Sequence, residues 1–334
     1  MGRRQSDSSF GRFALLILFV IGAISCYAAY LCFSIVFRPS SVESLGFTIG
    51  DGLKKKNRGG GREEEGCCEG VEHMELWGDA VKWGSNFKVN SSKDCCLACK
   101  GMCDDGHCLC NSWVFCGDKH ACGSHFGECW LKRQIDILDP AIRDSGDHVM
   151  WTSGLVFGKE KGIIQLETEY GVMRIKLLPD CAPRSVASII EMLRLRHCVG
   201  CHFYRAESRG KSWDSEGNHV QHYSYGPPFA LIQGTLGSVG TTFKDLPTEF
   251  CPGIKRGSVA WVGSGPEFFI SLANHDEWQK VYAVFGYLLP EDMEVAEIIA
   301  QLPTKREVWS NIDVDVLENP VPLRLGRMKN VTGS

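Results

Sequence analysis

The distribution of cysteines is the strongest constraint on the fold of this 334-residue chain, because eleven of its 17 cysteines fall between Cys67 and Cys129. A small domain buries little apolar surface by itself, so this density is typical of a module held together by disulfides in an oxidising compartment. Since eleven is odd, at least one of these thiols must pair outside the segment or remain free. We therefore predict a disulfide-rich domain over residues 67–156.

A second constraint lies near the N-terminus, where 25 residues from Phe13 to Phe37 carry no charge. About 20 apolar residues cross the bilayer core as a helix, whereas the apolar region of a cleaved signal is about 7–15 residues long. The sequence thus predicts a retained transmembrane helix over 13–37. The net charge of −4 provides no basic field for nucleic acid, so no nucleic-acid partner is expected.

The residues around this helix suggest how the chain is oriented. The cysteines, together with glycosylation triplets at Asn90 and Asn330, favour a luminal body and a cytosolic tail over 1–12, which is type II topology. Residues 38–66 are rich in Gly, Ser and opposed charges, which is typical of a flexible stem. The chain ends NVTGS, without a retention tetrapeptide, which favours the Golgi or a later compartment. We therefore expect the Golgi, with the endoplasmic reticulum and the plasma membrane as alternatives.

Within the cysteine-rich module, a helix capped by Ser92 or Asp94 is followed by two predicted strands, CNSWVFCG and CWLKR. This order resembles the PAN/apple family. The resemblance implies a small α+β domain that binds proteins or carbohydrates and performs no chemistry. The cysteines that match the family pattern, and are therefore disulfide candidates, are Cys95, Cys96, Cys99, Cys110, Cys116 and Cys129.

Some cysteine spacings leave other chemistry open. The C-x-x-C that starts at Cys96 and the C-x-C that starts at Cys108 are compatible with zinc ligation, although we predict no metal site. The C-x-x-C-H that starts at Cys198 fits covalent haem attachment, but it lies directly before a predicted barrel strand, where haem has no room. A disulfide or redox-active pair of Cys198 and Cys201 is the favoured interpretation.

From about residue 162 to 322 the pattern becomes regular. The alternation in VMRIKLL predicts a strand with one buried face, and APRSVASIIEMLRL and PEDMEVAEIIAQL have the apolar spacing of helices. Four short strands are predicted between them, in FALIQG, GSVAWV, FFISLA and AVFGYL. We therefore predict a mainly β fold, a closed barrel with two helices. Residues 323–334 are predicted to be a tail.

The order of these segments resembles the cyclophilin family. The matching landmarks are ETEYGVMRIKLLPDCAPRSV, HFYR, FALIQG, GSVAWV and GPEFFIS, then Trp278 and VFG, and they cover nearly all of residues 162–303. The resemblance implies a peptidyl-prolyl cis–trans isomerase that needs no cofactor. Its expected partners are proline-containing polypeptides of the secretory pathway.

The resemblance also assigns roles to individual residues. Arg205, in HFYR, matches the catalytic arginine, whose guanidinium can donate a hydrogen bond to the proline nitrogen as the bond twists. Phe269 matches the apolar floor beneath the proline ring. The other expected substrate-binding residues are Leu231, Gln233, Val262, Gly263, Trp278 and Tyr282.

Three departures from the family pattern affect the expected activity. Gly265-Pro266 runs almost directly into the Phe-Phe pair, without the family's Asn-, Gly- and Ser-rich loop, and Glu267 stands where the family has glutamine. The segment from Glu207 to Pro228 is longer than usual and is expected to cover the groove or to add contacts. These departures predict a weak isomerase. The alternative is a catalytically degenerate membrane protein that serves as a binding scaffold.

Overall fold

The computed structural model describes residues 67–104, 107–195, 198–237, 243, 245–249 and 252–328. All of these belong to one unit of the chain, Gly60–Ser334. The predicted cytosolic tail, transmembrane helix and stem, and the candidate glycosylation site at Asn330, lie outside the described residues. Among the residues that are described, no helix is both long and apolar enough to cross a membrane.

The cysteine-rich part, as far as the structure describes it, forms nine short strands: β1 Val71–Glu72, β2 Met74–Leu76, β3 Asp79–Lys82, β4 Cys103–Asp104, β5 His107–Cys108, β6 Ser112–Phe115, β7 Cys129–Arg133, β8 Ile142–Ser145 and β9 Thr152–Leu155. Five of them make an antiparallel sheet in the order β1-β9-β6-β7-β3, while β2 pairs with β8 and β4 with β5. The helical segments are α1 Ser92–Lys100, α2 Lys119–Cys122 and the 3-10 turns Gly84–Asn86 and Gly123–His125.

The predicted helix and strands of this part are present, with two local differences. The cap of α1 is Ser91 rather than Ser92 or Asp94, because the Ser91 hydroxyl accepts the backbone N–H of Asp94 at 3.1 Å. For strand β6 the sequence predicts apolar and polar positions that alternate from Asn111 to Phe115, but all four residues of the strand are buried, since β6 is the central strand of the sheet.

Seven disulfides join the fourteen cysteines that are described: Cys67–Cys181, Cys68–Cys96, Cys95–Cys129, Cys99–Cys110, Cys103–Cys108, Cys116–Cys122 and Cys198–Cys201. The six cysteines expected to form disulfides all do so. The two spacings that resembled zinc ligands are divided among separate disulfides. The odd cysteine count is resolved by Cys67, which leaves the module to pair with Cys181.

The described residues of the second part form ten strands: β10 Ile163–Thr168, β11 Gly171–Leu177, β12 His202–Glu207, β13 Leu231–Thr235, β14 Ser258–Trp261, β15 Glu267–Ser271, β16 Val284–Leu288, β17 Thr304–Trp309, β18 Ile312–Pro322 and β19 Arg324–Arg327. They form one sheet in the order β17-β18-β12-β13-β15-β14-β16-β11-β10-β19. Two helices, α3 Pro183–Leu195 and α4 Met293–Ile299, and the 3-10 turns Asp276–Trp278 and Pro290–Asp292 complete it. The mainly β prediction is confirmed.

The sheet returns on itself through a continuous stretch of chain. Among the described residues, no ladder joins the outer strands β17 and β19, so the closed hydrogen-bonded barrel of the prediction is not what the structure shows. Instead, β18 pairs with β12, the Leu323 N–H donates to the Cys201 carbonyl at 3.0 Å, and β19 then pairs with β10. The prediction of a tail from residue 323 is therefore wrong, because Arg324–Arg327 is part of the sheet.

Strands β17 and β18 form a hairpin that the sequence analysis did not predict. Ser310 and Asn311 connect them, with φ of 49° and 68°. Positive φ at both central residues is the geometry of a type I′ turn, which matches the natural twist of paired strands. The register places Trp309 opposite Ile312.

Two carboxylates hold the starts of the helices, one against the sheet and the other against the segment 245–249. Asp292, at the start of α4, accepts the backbone N–H and the guanidinium of Arg174 on β11, at 2.7–2.8 Å. Glu249 accepts the backbone N–H groups of Arg184 and Ser185 at 2.7 and 3.0 Å, which satisfies unpaired donors in the first turn of α3.

The disulfide Cys67–Cys181 is expected to stabilise the chain more than a short-range one. It closes a separation of 114 residues, whereas Cys103–Cys108 closes 5. In the chain-entropy model the longer loop contributes about 4–5 kcal/mol and the shorter about 2 kcal/mol. We expect the double variant Cys67→Ser/Cys181→Ser to lose about twice as much free energy of unfolding in urea as Cys103→Ser/Cys108→Ser. Equal losses of free energy of unfolding in the two double variants would contradict the larger contribution of the Cys67–Cys181 disulfide.

Candidate functional site

A pocket of about 330 Å³ opens between the central strands of the ten-stranded sheet and the β17–β18 hairpin. It brings together seven of the eight residues expected at the site: Arg205, Leu231, Gln233, Val262, Phe269, Trp278 and Tyr282. Gly263 does not line it. The other lining residues, which were not predicted from the sequence, are Phe229, Trp309, Ile312 and Val314.

Three aromatic side chains form one wall of this pocket. The ring of Phe269, which is buried, lies 5.7 Å from that of Trp278 and 5.1 Å from that of Tyr282, and both pairs are edge-to-face. The Trp278 and Tyr282 rings are themselves 5.4 Å apart. Burial raises the pKa of the Tyr282 hydroxyl. The wall is thus an apolar surface made of mutually supporting rings.

Arg205 is held beside this wall by two side chains. Its Nε donates to Oε1 of Glu207 at 2.7 Å, and one terminal nitrogen donates to Oε1 of Gln233 at 3.0 Å. The side chain of Glu207 is 0% exposed, and its second oxygen accepts the Phe229 backbone N–H at 2.5 Å. Among the described residues, the other terminal nitrogen of Arg205 has no hydrogen-bond partner. The guanidinium is therefore fixed in position while it keeps a donor for a ligand.

The hydrogen-bond network continues away from the pocket. The Gln233 amide donates to the Tyr204 hydroxyl at 2.6 Å, and that hydroxyl donates to Glu267 at 2.5 Å. Burial, and then the Glu267 carboxylate, raise the pKa of Tyr204 far above its usual range. Glu267, which stands where the family has glutamine, thus serves as the hydrogen-bond acceptor of Tyr204 and does not line the pocket.

The local strand geometry explains why these groups meet. The register of β12 shifts between Phe203 and Arg205, and such a bulge re-aims the side chains that follow it. Beyond the bulge, Arg205 and Glu207 are two residues apart on a strand and therefore share a face. That spacing was visible in HFYRAE and could have identified Glu207 as the partner of Arg205.

Two aromatic rings approach the guanidinium. The Cζ atom of Arg205 lies 5.6 Å from the centre of the Phe229 ring and 5.7 Å from that of Trp309. Both distances are within the range of cation–π attraction. Trp309 belongs to the β17–β18 hairpin, so this hairpin is part of the site.

The shortened connection between β14 and β15 is a tight turn. The Val262 N–H donates to the Glu267 carbonyl at 2.8 Å, and the Val262 carbonyl accepts the Gly265 N–H at 3.2 Å. The Val262 N–H is thus already used within the turn, while its side chain lines the pocket. The long segment before β13 does not cover the groove, since none of residues 208–228 lines it. Trp213 of this segment is buried instead, with its ring centre 5.1 Å from that of His275.

The cysteine pair before β12 forms a disulfide, Cys198–Cys201. Its thiols are therefore consumed, which excludes covalent haem attachment in this state. In the part of the chain that the structure describes, no cluster of three or more potential metal ligands is present.

Comparison with known proteins matches residues 163–320 to the family "Cyclophilin type peptidyl-prolyl cis-trans isomerase/CLD". These residues match a cyclophilin-type domain. The match includes the strand that carries Arg205 and most of the β17–β18 hairpin. Among curated proteins none matches this chain.

Solved structures of cyclophilins are also similar to this chain. A Cryptosporidium parvum cyclophilin type peptidyl-prolyl cis-trans isomerase is 13% identical over 51% of this chain and 98% of its own, with a TM-score of 0.36. The same protein in the presence of the dipeptide Ala-Pro is 14% identical over 50% and 99%, again with a TM-score of 0.36. A cyclophilin from Hirschia baltica is 16% identical over 48% and 73%, with a TM-score of 0.28.

Removal of Glu207 should destabilise the cyclophilin-type domain. Loss of one partner from a buried ion pair leaves the other charge uncompensated, at a cost of about 3–5 kcal/mol. We expect Glu207→Ala to lose free energy of unfolding in this range in urea titrations. The matched control is Asp276→Ala, which breaks the exposed pair with Lys255 and should cost under about 1 kcal/mol. Equal losses of free energy of unfolding in the two variants would contradict the stabilising role of the buried Glu207–Arg205 ion pair.

His275 should make stability depend on pH. Its ring is buried and stacks on Trp278 at 3.7 Å, and burial lowers its pKa although Glu277 opposes the shift. In the unfolded chain a histidine pKa is about 6.5. As the pH falls below that value the unfolded chain takes up the proton first, so the His275 contribution to stability decreases until the lower folded pKa is reached.

We therefore expect the free energy of unfolding of the parent to fall more between pH 7.5 and 5.5 than that of His275→Phe. The control is His148→Gln, because His148 is exposed beside Asp144. A pH dependence that His275→Phe leaves unchanged would show that His275 is not the group responsible.

Proposed function

We propose that the cyclophilin-type domain catalyses cis–trans isomerisation of X-Pro bonds in polypeptides of the secretory pathway. The observation that carries this proposal is the fixed guanidinium of Arg205 beside the apolar wall around Phe269. The apolar wall suits a proline ring. The guanidinium retains a hydrogen-bond donor for the proline nitrogen, which loses its amide resonance as the bond twists.

The chemistry follows from the origin of the barrier. Amide resonance sets a rotation barrier of about 18–20 kcal/mol, and uncatalysed X-Pro isomerisation takes about tens to hundreds of seconds. When the bond twists, resonance is lost and the proline nitrogen becomes pyramidal and basic. A guanidinium N–H that donates to this nitrogen stabilises the twisted form more than the planar amide, and this difference lowers the barrier.

The same contacts account for a modest rate. The Glu207 carboxylate lies 2.7 Å from Nε of Arg205, so its negative charge offsets part of the positive charge that the substrate experiences. The Val262 N–H is bonded within its own turn, which removes one main-chain donor from substrate binding. Both features weaken binding or transition-state stabilisation, but neither removes the arginine.

The proposal extends to the rest of the chain. The cysteine-rich part, as a PAN/apple-like module, would present protein or carbohydrate partners, and the uncharged run 13–37 would anchor the protein in type II orientation. The disulfides support an oxidising compartment. Asn90 would carry a glycan, and the proposed residence is the Golgi.

The second candidate is a binding scaffold without catalysis. The occupied Val262 N–H and the charge pairing of Arg205 with buried Glu207 favour it, because both reduce the means to act on a substrate. In that case the pocket would bind prolyl segments and leave their isomer ratio and rate unchanged.

A protease-coupled assay on the full-length chain separates the two functions, with a tetrapeptide whose X-Pro bond must be trans for cleavage. The full-length chain is used because Cys181 pairs with Cys67. A hydrogen bond to a charged group contributes about 1.5–3 kcal/mol, so Arg205→Ala should lower kcat/KM about 10- to 100-fold. Arg143→Ala, in the exposed pair with Glu75, should leave it unchanged. Turnover that Arg205→Ala does not reduce would refute the arginine mechanism, and no turnover in the parent would favour the scaffold.

A further inference from the structure

The β17–β18 hairpin extends past the strand that carries Arg205. The β12–β18 ladder runs from the pair His202–Pro322 to the pair Arg205–Val316, where it ends. The hairpin continues four residues further, to Ile312. At about 3.4 Å per residue, its end projects roughly 13 Å beyond the ladder and reaches the pocket.

The two faces of this hairpin differ in chemistry. Ile312 and Val314 are two residues apart on β18, and Trp309 lies opposite Ile312, so these three side chains share one face. All three line the pocket. Asp313 and Val308 are paired on the other face. The part of this face that lines the pocket is therefore apolar, and Ile312 there remains 48% exposed. Glu307 lies on the same face opposite Val314, but it does not line the pocket and accepts the Trp309 indole N–H at 3.1 Å.

The sheet order places this apolar face at one end of the groove. Val262 follows β14, and the order β14-β15-β13-β12-β18 separates it from the hairpin by four strand intervals. Phe269 on β15 and Gln233 on β13 lie between the two ends. A peptide whose proline rests on Phe269 therefore has Val262 on one side of the proline and the hairpin on the other.

We propose that Trp309, Ile312 and Val314 form a subsite that selects a large apolar side chain on the residue flanking the proline, on the side away from Val262. This proposal rests on the proposed binding of prolyl peptides in the groove. Trp309 and Ile312 are the specificity-determining residues. A leucine or phenylalanine at this position would cover the exposed part of Ile312 and gain about tenfold over alanine, since its burial would be partial.

The test measures cis–trans exchange by NMR without a coupling protease, because a protease imposes its own sequence preference. Two peptide series present alanine, leucine or phenylalanine directly before or directly after the proline to the full-length chain. We expect the parent to favour leucine and phenylalanine over alanine about tenfold in one series only.

Variants on the two faces of the hairpin then test the assignment. Ile312→Ala should reduce the tenfold preference to about twofold or less. The matched control is Val308→Ala, which removes an equally apolar, 65% exposed side chain from the opposite face and should leave the preference intact. Because Trp309 also contacts Arg205, Trp309→Ala is expected to lower the rate for every peptide as well as the preference.

Several results would overturn the subsite. These are equal rates for all three residues in both series, an equal preference in both series, or an equal loss of preference in Val308→Ala and Ile312→Ala. If the parent accelerates no peptide, the isomerase function fails by itself. The subsite is then tested by calorimetric Kd ratios of the same peptides, with the same tenfold preference expected. If no peptide binds, both the subsite and the proposal that the groove binds prolyl peptides are refuted.

Discussion

The buried carboxylate of Glu207 is the interaction on which the geometry of the groove depends. A carboxylate at this depth is costly unless its oxygens are bonded, and one oxygen accepts Arg205 while the other accepts the Phe229 N–H. The same side chain therefore joins strand β12 to the segment that enters β13. Together with Gln233, it also fixes which guanidinium nitrogens are used by the protein and which one is available to a ligand.

The Glu207–Arg205 pair belongs to a longer network of polar side chains, which aromatic rings shield. From Glu207 the bonds run through Arg205 and Gln233 to Tyr204, and they end at Glu267. The substitution of glutamate at position 267 is thus explained by an acceptor role toward Tyr204. The rings of Phe229 and Trp309 approach Arg205 and shield it, which strengthens its charged hydrogen bonds.

Much of the fold could be predicted from the sequence because its periodicity is local. The alternation in VMRIKLL and the apolar spacing of ASIIEMLRL gave strand β11 and helix α3. The odd number of cysteines predicted a link out of the module, but only the three-dimensional fold could place Cys67 next to Cys181. The sheet contribution of Arg324–Arg327 was missed because pairing with β10 is non-local and leaves no short-range signal.

The site was predicted through the order of family motifs, which placed seven residues that the pocket brings together. Of the residues it missed, Phe229 begins the FALIQG landmark, and the other three follow the last landmark. Trp309 and Ile312 come from a hairpin whose V-W-S-N-I-D-V-D-V alternation was present but was not interpreted as a hairpin. Val262 lines the pocket as expected, but the tight turn after it uses its main-chain N–H.

The central claim is that Arg205, clamped by Glu207, offers its remaining donor to a bound proline. The most direct measurement is NMR of the full-length chain labelled with 15N-arginine, with Arg205 assigned from Arg205→Lys, during titration with a prolyl peptide and its proline-to-alanine counterpart. We expect the Arg205 Nε–H to be protected from solvent exchange and to stay in place, while its terminal NH₂ signals shift with the prolyl peptide alone. An Arg205 Nε–H that exchanges freely with solvent would contradict the account. So would terminal NH₂ signals that do not shift with the prolyl peptide, or that shift equally with both peptides.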